Sequence, residues 1–474
     1  MNDVTVRMTD IVIENFKNVT YGTLNLENHR KDYKASVLGL YGQNGSGKTA
    51  LIDAVELLKF VLMGQSLPDY FADYINIDAD NAHLKYSFNL KLDGNIHKVQ
   101  YEFDIKKVIV DASRNLSDST ENSENHKTKI LNEVLSCSFA GIGKKERMYP
   151  IINTVTDEVF IPKPKYQLLI GKDKNIYTDL LVAKKLARAT SRSFIFSREL
   201  LSEMRKKYSG ENPEDFKVYS EIVESMVGYG NFELFVINTT NSGLISMNAQ
   251  PLAFKYEEKL RGAVGTLMLP LEKPEVIPQE AVEVVKKIIG DMNIVLEQIV
   301  PGLTIGVREL GTILMKNNKQ GERIQLVSCK SSKEIPLRYE SEGIKKIISV
   351  LQLLIVVYNQ PSITVAIDEL DAGVFEYLLG ELLKIISEKG KGQLIFTSHN
   401  LRPLETIDKG FIAFTTTNPS NRYIRLSNVK ETNNLRDFYF RDIVLGEQSE
   451  EVYNPTNNAE IALAFREAGE ISGS

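Results

Sequence analysis

The chain has 474 residues, more than a usual single domain, which predicts two lobes or one heavily inserted domain. Hydrophobic residues make up 43% of it and charged residues 25%, as in an ordinary soluble globular protein. The net charge of −5 argues against a dedicated nucleic-acid binder, and two cysteines are too few for a disulfide framework or a cysteine-based metal site.

The amino-terminal residues predict two short strands and no targeting segment. The chain starts with polar residues, and 11–17 partly alternate apolar and polar side chains, as a half-buried strand does. We place the turn between the two strands at Tyr21-Gly22. No apolar run approaches the ~20 residues that span a bilayer. We therefore expect a cytoplasmic protein without a membrane segment.

A complete phosphate-binding loop follows, Gly42-Gln43-Asn44-Gly45-Ser46-Gly47-Lys48-Thr49. The apolar run 35–41 before it predicts a buried strand, and the spacing over 50–58 predicts a helix packed on a sheet. In this context the loop N–H groups and the helix N-terminus face a phosphate. We expect Lys48 to reach the β and γ phosphates and the Thr49 hydroxyl to ligate Mg²⁺. The predicted ligands are therefore ATP and Mg²⁺.

The middle of the chain predicts a hairpin and then helices. Period-two runs on both sides of Asp93-Gly94 predict a β-hairpin, and 177–227 has helical spacing. Alternating helix and strand resume near 341, which is typical of a parallel α/β sheet. We expect a discontinuous core of 1–105 and 335–474, with 106–334 as an inserted α+β and helical lobe.

One basic stretch, 184–207, departs from the acidic average of the chain. Its cationic residues are Lys184, Lys185, Arg188, Arg192, Arg198, Arg205, Lys206 and Lys207. It could contact a nucleic acid or an acidic partner, or it could form a solvated helical face. Because Glu199 and Glu203 interrupt it, we favour the solvated face.

Acidic residues that complement the phosphate loop lie far along the chain. The β-branched run 363–367 predicts a strand buried on both faces, and Asp368-Glu369 end it. Asp368 is placed to hold the Mg²⁺ shell opposite Thr49, and Glu369 to polarise an attacking water as general base. His399 ends the next predicted strand, where it could bond the γ phosphate or that water.

These motifs together resemble the ABC-type ATPase heads of the SMC, RecF and overcoming-lysogenization-defect (OLD) group. The resemblance assigns Asp371 to the D-loop and His399 to the switch histidine. It also implies a signature helix that donates its N-terminus to ATP bound by a second subunit, here Ser341-Glu342-Gly343 with Lys345. The Ser-Glu-Gly form is usual in the OLD-like branch. The glutamine that lines the Mg²⁺ site in this group has two weak candidates, Gln65 and Gln100.

The chain looks like a stand-alone OLD-like ATPase, similar to the ATPase subunits of two-gene phage-defence systems such as PARIS (AriA) and Septu. Roughly 290 residues separate the two halves of the site, too few and too broken for an SMC coiled coil. Roughly 75 follow His399, too few for the nuclease domain of OLD nucleases.

The resemblance implies an ATPase head that pairs in a homo-oligomer, at least a dimer. ATP binding and hydrolysis would switch the conformation and control a separate effector such as a nuclease, in antiphage defence. A RecF-like repair ATPase that binds DNA directly is the first alternative. A scaffold that binds ATP but hardly hydrolyses it is the second.

Overall fold

The computed structural model describes most of the chain. Its described ranges are 4–27, 36–109, 126–138, 147–208, 212–238, 249–258, 261–270, 273–315, 320–330, 333–427, 434–446 and 448–471. The predicted α/β class with a mixed sheet is confirmed, because a largely parallel sheet with one antiparallel strand and an antiparallel sheet share the molecule with helices.

The strands are, in chain order, β1 (Thr5–Phe16), β2 (Val19–Asn25), β3 (Ser36–Tyr41), β4 (Asn81–Leu92), β5 (Asn95–Ile109), β6 (His126–Ser138), β7 (Tyr149–Asn153), β8 (Leu234–Ile237), β9 (Ala249–Glu258), β10 (Arg261–Pro270), β11 (Glu275–Pro278), β12 (Leu303–Leu314), β13 (Gln320–Lys330), β14 (Lys333–Pro336), β15 (Thr364–Ile367), β16 (Gln393–Thr397), β17 (Ile412–Thr415) and β18 (Tyr423–Ile424).

The helices are α1 (Lys48–Leu62), α2 (Lys163–Leu169), α3 (Lys174–Ala189), α4 (Arg198–Lys207), α5 (Glu214–Phe232), α6 (Gln279–Ile299), α7 (Glu342–Asn359), α8 (Glu376–Lys389), α9 (Pro403–Thr406), α10 (Leu435–Leu445) and α11 (Asn458–Ile471). Short 3₁₀ turns lie at Asp69–Tyr74, Leu337–Tyr339, Lys409–Phe411 and Pro419–Asn421. Within the described ranges, none of the helices has both the length and the apolar composition to cross a bilayer.

The parallel sheet carries the site. Its strand order is β18-β17-β3-β16-β15-β8, and only β18 runs antiparallel to its neighbour. The strands β3, β15 and β16 are buried throughout, as the apolar runs predict. Since neighbouring strands run parallel, their carboxyl ends meet at one edge of the sheet, and the phosphate loop, Asp368 and His399 all follow there.

The antiparallel sheet has the order β2-β1-β4-β5-β6-β7. The predicted hairpin is confirmed as β4 and β5, and its turn residues Asp93 and Gly94 both have positive φ, 47° and 84°. The predicted turn at Tyr21-Gly22 is wrong: both residues lie in β2, and the chain reverses at Lys17-Asn18. Gly22 is required for close packing instead, because a Cβ there would lie 2.5 Å from the Tyr423 ring.

Specific polar contacts join the two large sheets. The Gln393 side chain exchanges two hydrogen bonds with the backbone of Met8, each 2.8 Å long, which ties β16 to β1. The Tyr86 hydroxyl donates to the carbonyl oxygen of Ala54 at 2.6 Å and fixes α1 against the antiparallel sheet. A third, smaller sheet of order β11-β13-β12, with β14 beside β13, packs with α6 on one side of α7.

The division into 1–105 with 335–474 and an insert at 106–334 stays a prediction, and two observations bear on its boundaries. Residue 105 lies inside β5, whose sheet continues into β6 and β7. Residues 234–237 form β8, which extends the parallel sheet beside β15. The middle of the chain therefore contributes strands to both large sheets.

Candidate functional site

The phosphate loop is shaped by three glycines with positive φ. Gly42, Gly45 and Gly47 have φ values of 151°, 75° and 95°, which residues with a Cβ rarely adopt. Gly42 is also enclosed, because a Cβ there would lie 1.8 Å from the Thr415 Oγ1 atom. Ser46 is buried, and its hydroxyl contacts the same Thr415 hydroxyl. Asn44 and Gly45 are exposed at the tip of the loop.

Residues after β17 and β1 hold the loop from behind. The Tyr423 hydroxyl donates to the carbonyl oxygen of Gly47 at 2.9 Å, and the Asn18 side-chain amide donates to that of Gly45. The Arg422 guanidinium in turn donates to the Asn18 carbonyl oxygen at 2.5 Å. These contacts occupy loop carbonyls from one side and keep the glycine backbone in its positive-φ conformation.

Lys48 opens α1 and lies under the loop. Its ammonium donates to the carbonyl oxygens of Gly42 and Gln43 at 2.9 and 3.0 Å. Burial lowers its pKa, and the negative charges of Asp368, Glu369 and Asp371 oppose that shift. The ammonium is therefore held between the loop and the acidic residues, and it can exchange a carbonyl partner for a phosphate oxygen.

Asp368 and Glu369 are both organised by Thr397, at the end of the neighbouring strand. The Thr397 hydroxyl donates to Asp368 Oδ1 at 2.5 Å and accepts from the Glu369 N–H at 2.8 Å. Glu369 has a φ of 49°, an uncommon value for a residue with a Cβ. Such strain, held by a defined bond, is frequent at functional sites.

One cavity of about 1230 Å³ brings the two halves of the predicted site together. The predicted site residues that line it are Asn44, Gly45, Gly47, Lys48, Thr49, Asp368, Glu369 and His399. Gly42 and Ser46 support the loop from below without lining the cavity. His399 is exposed at its edge.

Two oxygen donors of the predicted Mg²⁺ site, from Asp368 and Thr49, line the cavity. Asp368 is only 1% exposed, yet its Oδ2 atom has no hydrogen-bond partner among the described residues. A buried carboxylate oxygen without a partner is costly unless a ligand or water completes it. The half-buried Thr49 lines the same cavity. One carboxylate and one hydroxyl suit Mg²⁺, which keeps waters and takes its other oxygens from phosphates.

Asp371 shapes the turn beside the cavity instead of lining it. Its Oδ2 atom accepts the backbone N–H groups of His399 and Asn400 at 3.1 and 2.9 Å. The carboxylate therefore positions the backbone that carries His399. Gly373, two residues later, has a φ of 74° and ends the turn.

The signature residues lie outside the lining of their own chain's cavity. Ser341 is exposed and caps α7, with its hydroxyl accepting the Ile344 N–H at 3.4 Å. Gly343 touches the turn that follows Asp371 so closely that a Cβ would lie 2.1 Å from the Gly373 carbonyl oxygen. The sequence departs from the transporter form at Glu342, which is exposed. The N-terminus of α7 therefore contacts the Asp371 turn, but it does not line the cavity beside the phosphate loop of the same chain.

The sequence reasoning missed a wall of the cavity formed by residues 73–78 and Lys17. The Lys17 ammonium lies 3.8 Å from the centre of the Tyr74 ring and pairs with the Asp53 carboxylate on α1. The predicted strand just before Lys17 was a usable signal. Residues 73–78 and Arg422 carried no local signal, and neither Gln65 nor Gln100 lines the cavity.

The basic stretch 184–207 is in part the solvated face that was favoured, since Lys185, Arg198, Arg205 and Lys206 are exposed, but several of its residues also make contacts within the chain. Lys184 is 2% exposed and donates to the carbonyl oxygens of Thr156 and Glu158, and burial lowers its pKa to about 8. Arg205 forms a two-bond pair with Glu224, at 2.6 and 2.7 Å. The favoured solvated face is wrong for Lys184, because its helix α3 packs that side chain against the chain after β7.

Comparison with family models identifies the class. The model described as AAA ATPase domain matches residues 7–402, which include the phosphate loop, the Asp368-Glu369 pair and His399. The chain belongs to this family of P-loop ATPases. A comparison with curated protein sequences finds no significant match.

Solved structures of ATPase heads are similar at low identity. An Smc head bound to the C-terminal winged-helix domain of ScpA is 12% identical, with 89% of this chain and 98% of that chain covered and a TM-score of 0.42. The SMC head domain from Thermotoga maritima is also 12% identical, covering 89% and 99%, with a TM-score of 0.37. The recombination mediator RecF with bound ATPrS is 14% identical, covering 83% and 93%, with a TM-score of 0.34.

Proposed function

We propose that the chain hydrolyses Mg-ATP as one of two paired ABC-type heads, and that pairing and separation switch a separate effector. The observation that carries this proposal is the placement of Ser341. It caps an exposed helix N-terminus, suited to a γ phosphate, but it does not line its own cavity. A second copy could supply this N-terminus to the exposed side of the loop at Asn44 and Gly45.

Hydrolysis would use the residues around the cavity in distinct roles. Glu369 orients and deprotonates the attacking water, and Lys48 balances charge that develops on the transferred phosphoryl group. Thr49 and Asp368 would hold Mg²⁺, which would supply Lewis-acid stabilisation of the phosphate oxygens. His399 contacts the γ phosphate or the water from the edge of the cavity.

The proposed output is movement rather than chemistry on a second substrate. Asp371 joins the His399 backbone to the turn that packs on Gly343, so a change at the γ phosphate reaches α7 through direct contacts. The Ser-Glu-Gly signature resembles the OLD-like branch, which supports an antiphage role with an effector such as a nuclease. The cytoplasm is the proposed compartment.

The Glu369→Gln variant tests this proposal. It should bind ATP but hydrolyse it at least about 100-fold more slowly, and sedimentation velocity should show a dimer only with Mg-ATP. Glu388→Gln, on the exposed end of α8, is the matched control and should behave as wild type. Wild-type turnover in Glu369→Gln would refute the general-base role, and a monomer with ATP would refute pairing.

Direct DNA binding of the RecF type is the alternative function. Its support is the basic stretch, which is weakened by the internal contacts of Lys184 and Arg205. Charge reversal at Arg192 and Lys206 distinguishes the two. It should leave ATP-dependent pairing intact, whereas a DNA-binding ATPase would lose a strongly salt-dependent affinity for duplex DNA.

A further inference from the structure

The segment that leads into the last helix is fastened to the phosphate loop. The Gln43 side chain pairs with the backbone of Asn454 in both directions, accepting its N–H at 3.0 Å and donating to its carbonyl oxygen at 3.3 Å. Just before, Val452 is buried, and the Glu451 carbonyl oxygen accepts the Thr417 N–H at 2.7 Å. The chain is therefore anchored to the phosphate loop at Asn454, four residues before α11 begins at Asn458.

The helix α11 exposes an apolar face. Every side chain described along it, residues 458–469, is exposed. Ile461 and Phe465 are 42% and 78% exposed and lie on one face at helical spacing, with Ala464 between them. Leu463, 56% exposed, lies on the opposite side. An exposed apolar stripe on a helix of 14 residues marks an interaction surface.

A complementary surface flanks the signature residues. Tyr339, Phe375 and Tyr377 are 64%, 69% and 54% exposed. They belong to the two segments that meet where Gly343 packs on Gly373. We name these three residues, with the arginines that stack on two of them, the aromatic–arginine surface.

The aromatic–arginine surface carries two cations, with one exposed acid, Glu376, between Phe375 and Tyr377. The Arg338 guanidinium lies 4.5 Å from the Tyr339 ring centre, and that of Arg402 lies 5.2 Å from the Tyr377 ring centre. The helix α11 carries three glutamates and one arginine. Arg338, and Arg402, which also pairs with Glu405, can therefore attract the glutamates of an acidic amphipathic helix.

We propose that α11 of one copy packs on the aromatic–arginine surface of a second copy, so that each ATP-bound pair contains two such contacts. This inference rests on the pairing proposed above, which would place Ser341 of one copy over the loop of the other. The Gln43–Asn454 pair anchors the segment before α11 to that same loop. Tyr339 lies two residues before that same Ser341, and Phe375 lies two residues after Gly373, which Gly343 contacts. The new contact therefore continues the proposed interface outward.

Matched substitutions on opposite faces of α11 test the contact. In the full-length Glu369→Gln background with Mg-ATP, Phe465→Ser should weaken dimerisation at least about tenfold, as truncation of a central aromatic anchor does. Leu463→Ser should change it less than about twofold. Equal effects of the two variants would overturn the inference. If the Glu369→Gln protein itself stays monomeric with Mg-ATP, the proposed pairing of heads is refuted, and this inference with it.

A cross-link identifies the occupant. Copies carrying Phe465→Cys are mixed with copies carrying Phe375→Cys, both with Glu369→Gln and with Cys329→Ser; the remaining Cys137 is buried. Oxidation with Mg-ATP should give a disulfide-linked dimer from the mixture and much less from either variant alone. A chain that carries both cysteines tests the alternative. If it forms the disulfide within a monomer, α11 covers the surface of its own chain, and the proposal is overturned.

Discussion

Two buried carboxylates, each associated with a different sheet, differ in how completely they are hydrogen-bonded. Glu133, on β6 of the antiparallel sheet, is 4% exposed and accepts hydrogen bonds from the Tyr101 hydroxyl at 2.9 Å, the Phe194 N–H at 2.8 Å and the Ser193 hydroxyl. Asp368, beyond β15, is 1% exposed and leaves one oxygen without a hydrogen-bond partner in the described part of the chain.

The difference separates structural from functional burial. A fully bonded carboxylate organises the segments around it, and here Glu133 joins β6 to the chain between α3 and α4. A buried oxygen without a partner lowers stability, so its persistence indicates a ligand that completes it. The same contrast predicts which substitutions will damage activity and which will damage the fold.

The largest expected effect is on activity, at Asp368. Asp368→Asn removes the charge that would hold Mg²⁺ and should lower ATP turnover at least about 100-fold. The unfolding free energy without nucleotide should be unchanged or higher, since an incompletely bonded buried charge is removed. Phosphate release and urea unfolding measure the two quantities. Turnover within threefold of wild type, or a large loss of stability, would contradict the comparison.

The converse variant is Glu133→Ala, which should damage the fold. It leaves three buried donors without an acceptor, so we expect the free energy of unfolding to fall by about 3 kcal/mol or more. Turnover per folded molecule should stay within about twofold, because Glu133 lies outside the cavity lining. Glu102→Ala, on the neighbouring strand β5, is the control, and an equal loss there would refute a special role for Glu133.

A pair of glycines extends the comparison to close packing. Gly343→Ala would press a Cβ against the Gly373 carbonyl oxygen and should destabilise the protein by about 1–3 kcal/mol while impairing ATP-dependent pairing. Gly228→Ala, inside α5, meets no atom within 4 Å and should stabilise it by up to about 1 kcal/mol. Thermal unfolding measures both. A neutral Gly343→Ala would show that the contact between α7 and the D-loop can shift freely.

The local parts of this fold could be predicted from sequence. The phosphate loop, the strand before Asp368 and the β4–β5 hairpin each depend on periodicity or turn residues within a few positions. Asp368 and His399 could be placed at one sheet edge because buried β-branched runs indicated neighbouring parallel strands. The α/β architecture could be predicted because helices and strands alternate along the last third of the chain.

Contacts between distant segments could not be predicted in this way. The misplaced turn at Tyr21-Gly22 came from reading a glycine as a turn residue, whereas Gly22 makes room for the Tyr423 ring. Thr397 and Arg422 join the site only through strand pairing and loop packing. The burial of Lys184 depends on carbonyl oxygens near residue 157, which a charge count does not reveal.

The smallest expected effect concerns Asp104, a carboxylate that is paired but only partly buried. His83 Nδ1 lies 2.7 Å from Asp104 Oδ1, and this hydrogen bond raises the pKa of His83 above its ordinary 6.5, against an opposing effect of burial. Because the folded-state pKa is raised, the stabilisation is complete below pH 6.5 and is lost as the pH rises through the folded-state value. Both side chains keep solvent contact, so it should amount to about 0.5 kcal/mol.

Urea unfolding at pH 5.5 and at pH 8 measures this contribution. His83→Gln should lower the stability at pH 5.5 by about 0.5 kcal/mol and change it little at pH 8. His97 is the control of opposite sign: burial lowers its pKa, so its neutral form is favoured and stability is lost as the pH falls below 6.5. His97→Gln should therefore reduce the loss of stability at pH 5.5. If stability responded to pH in the same way in both variants, the pairing of His83 with Asp104 would contribute nothing. Among paired carboxylates, only a fully buried one such as Glu133 would then stabilise the fold.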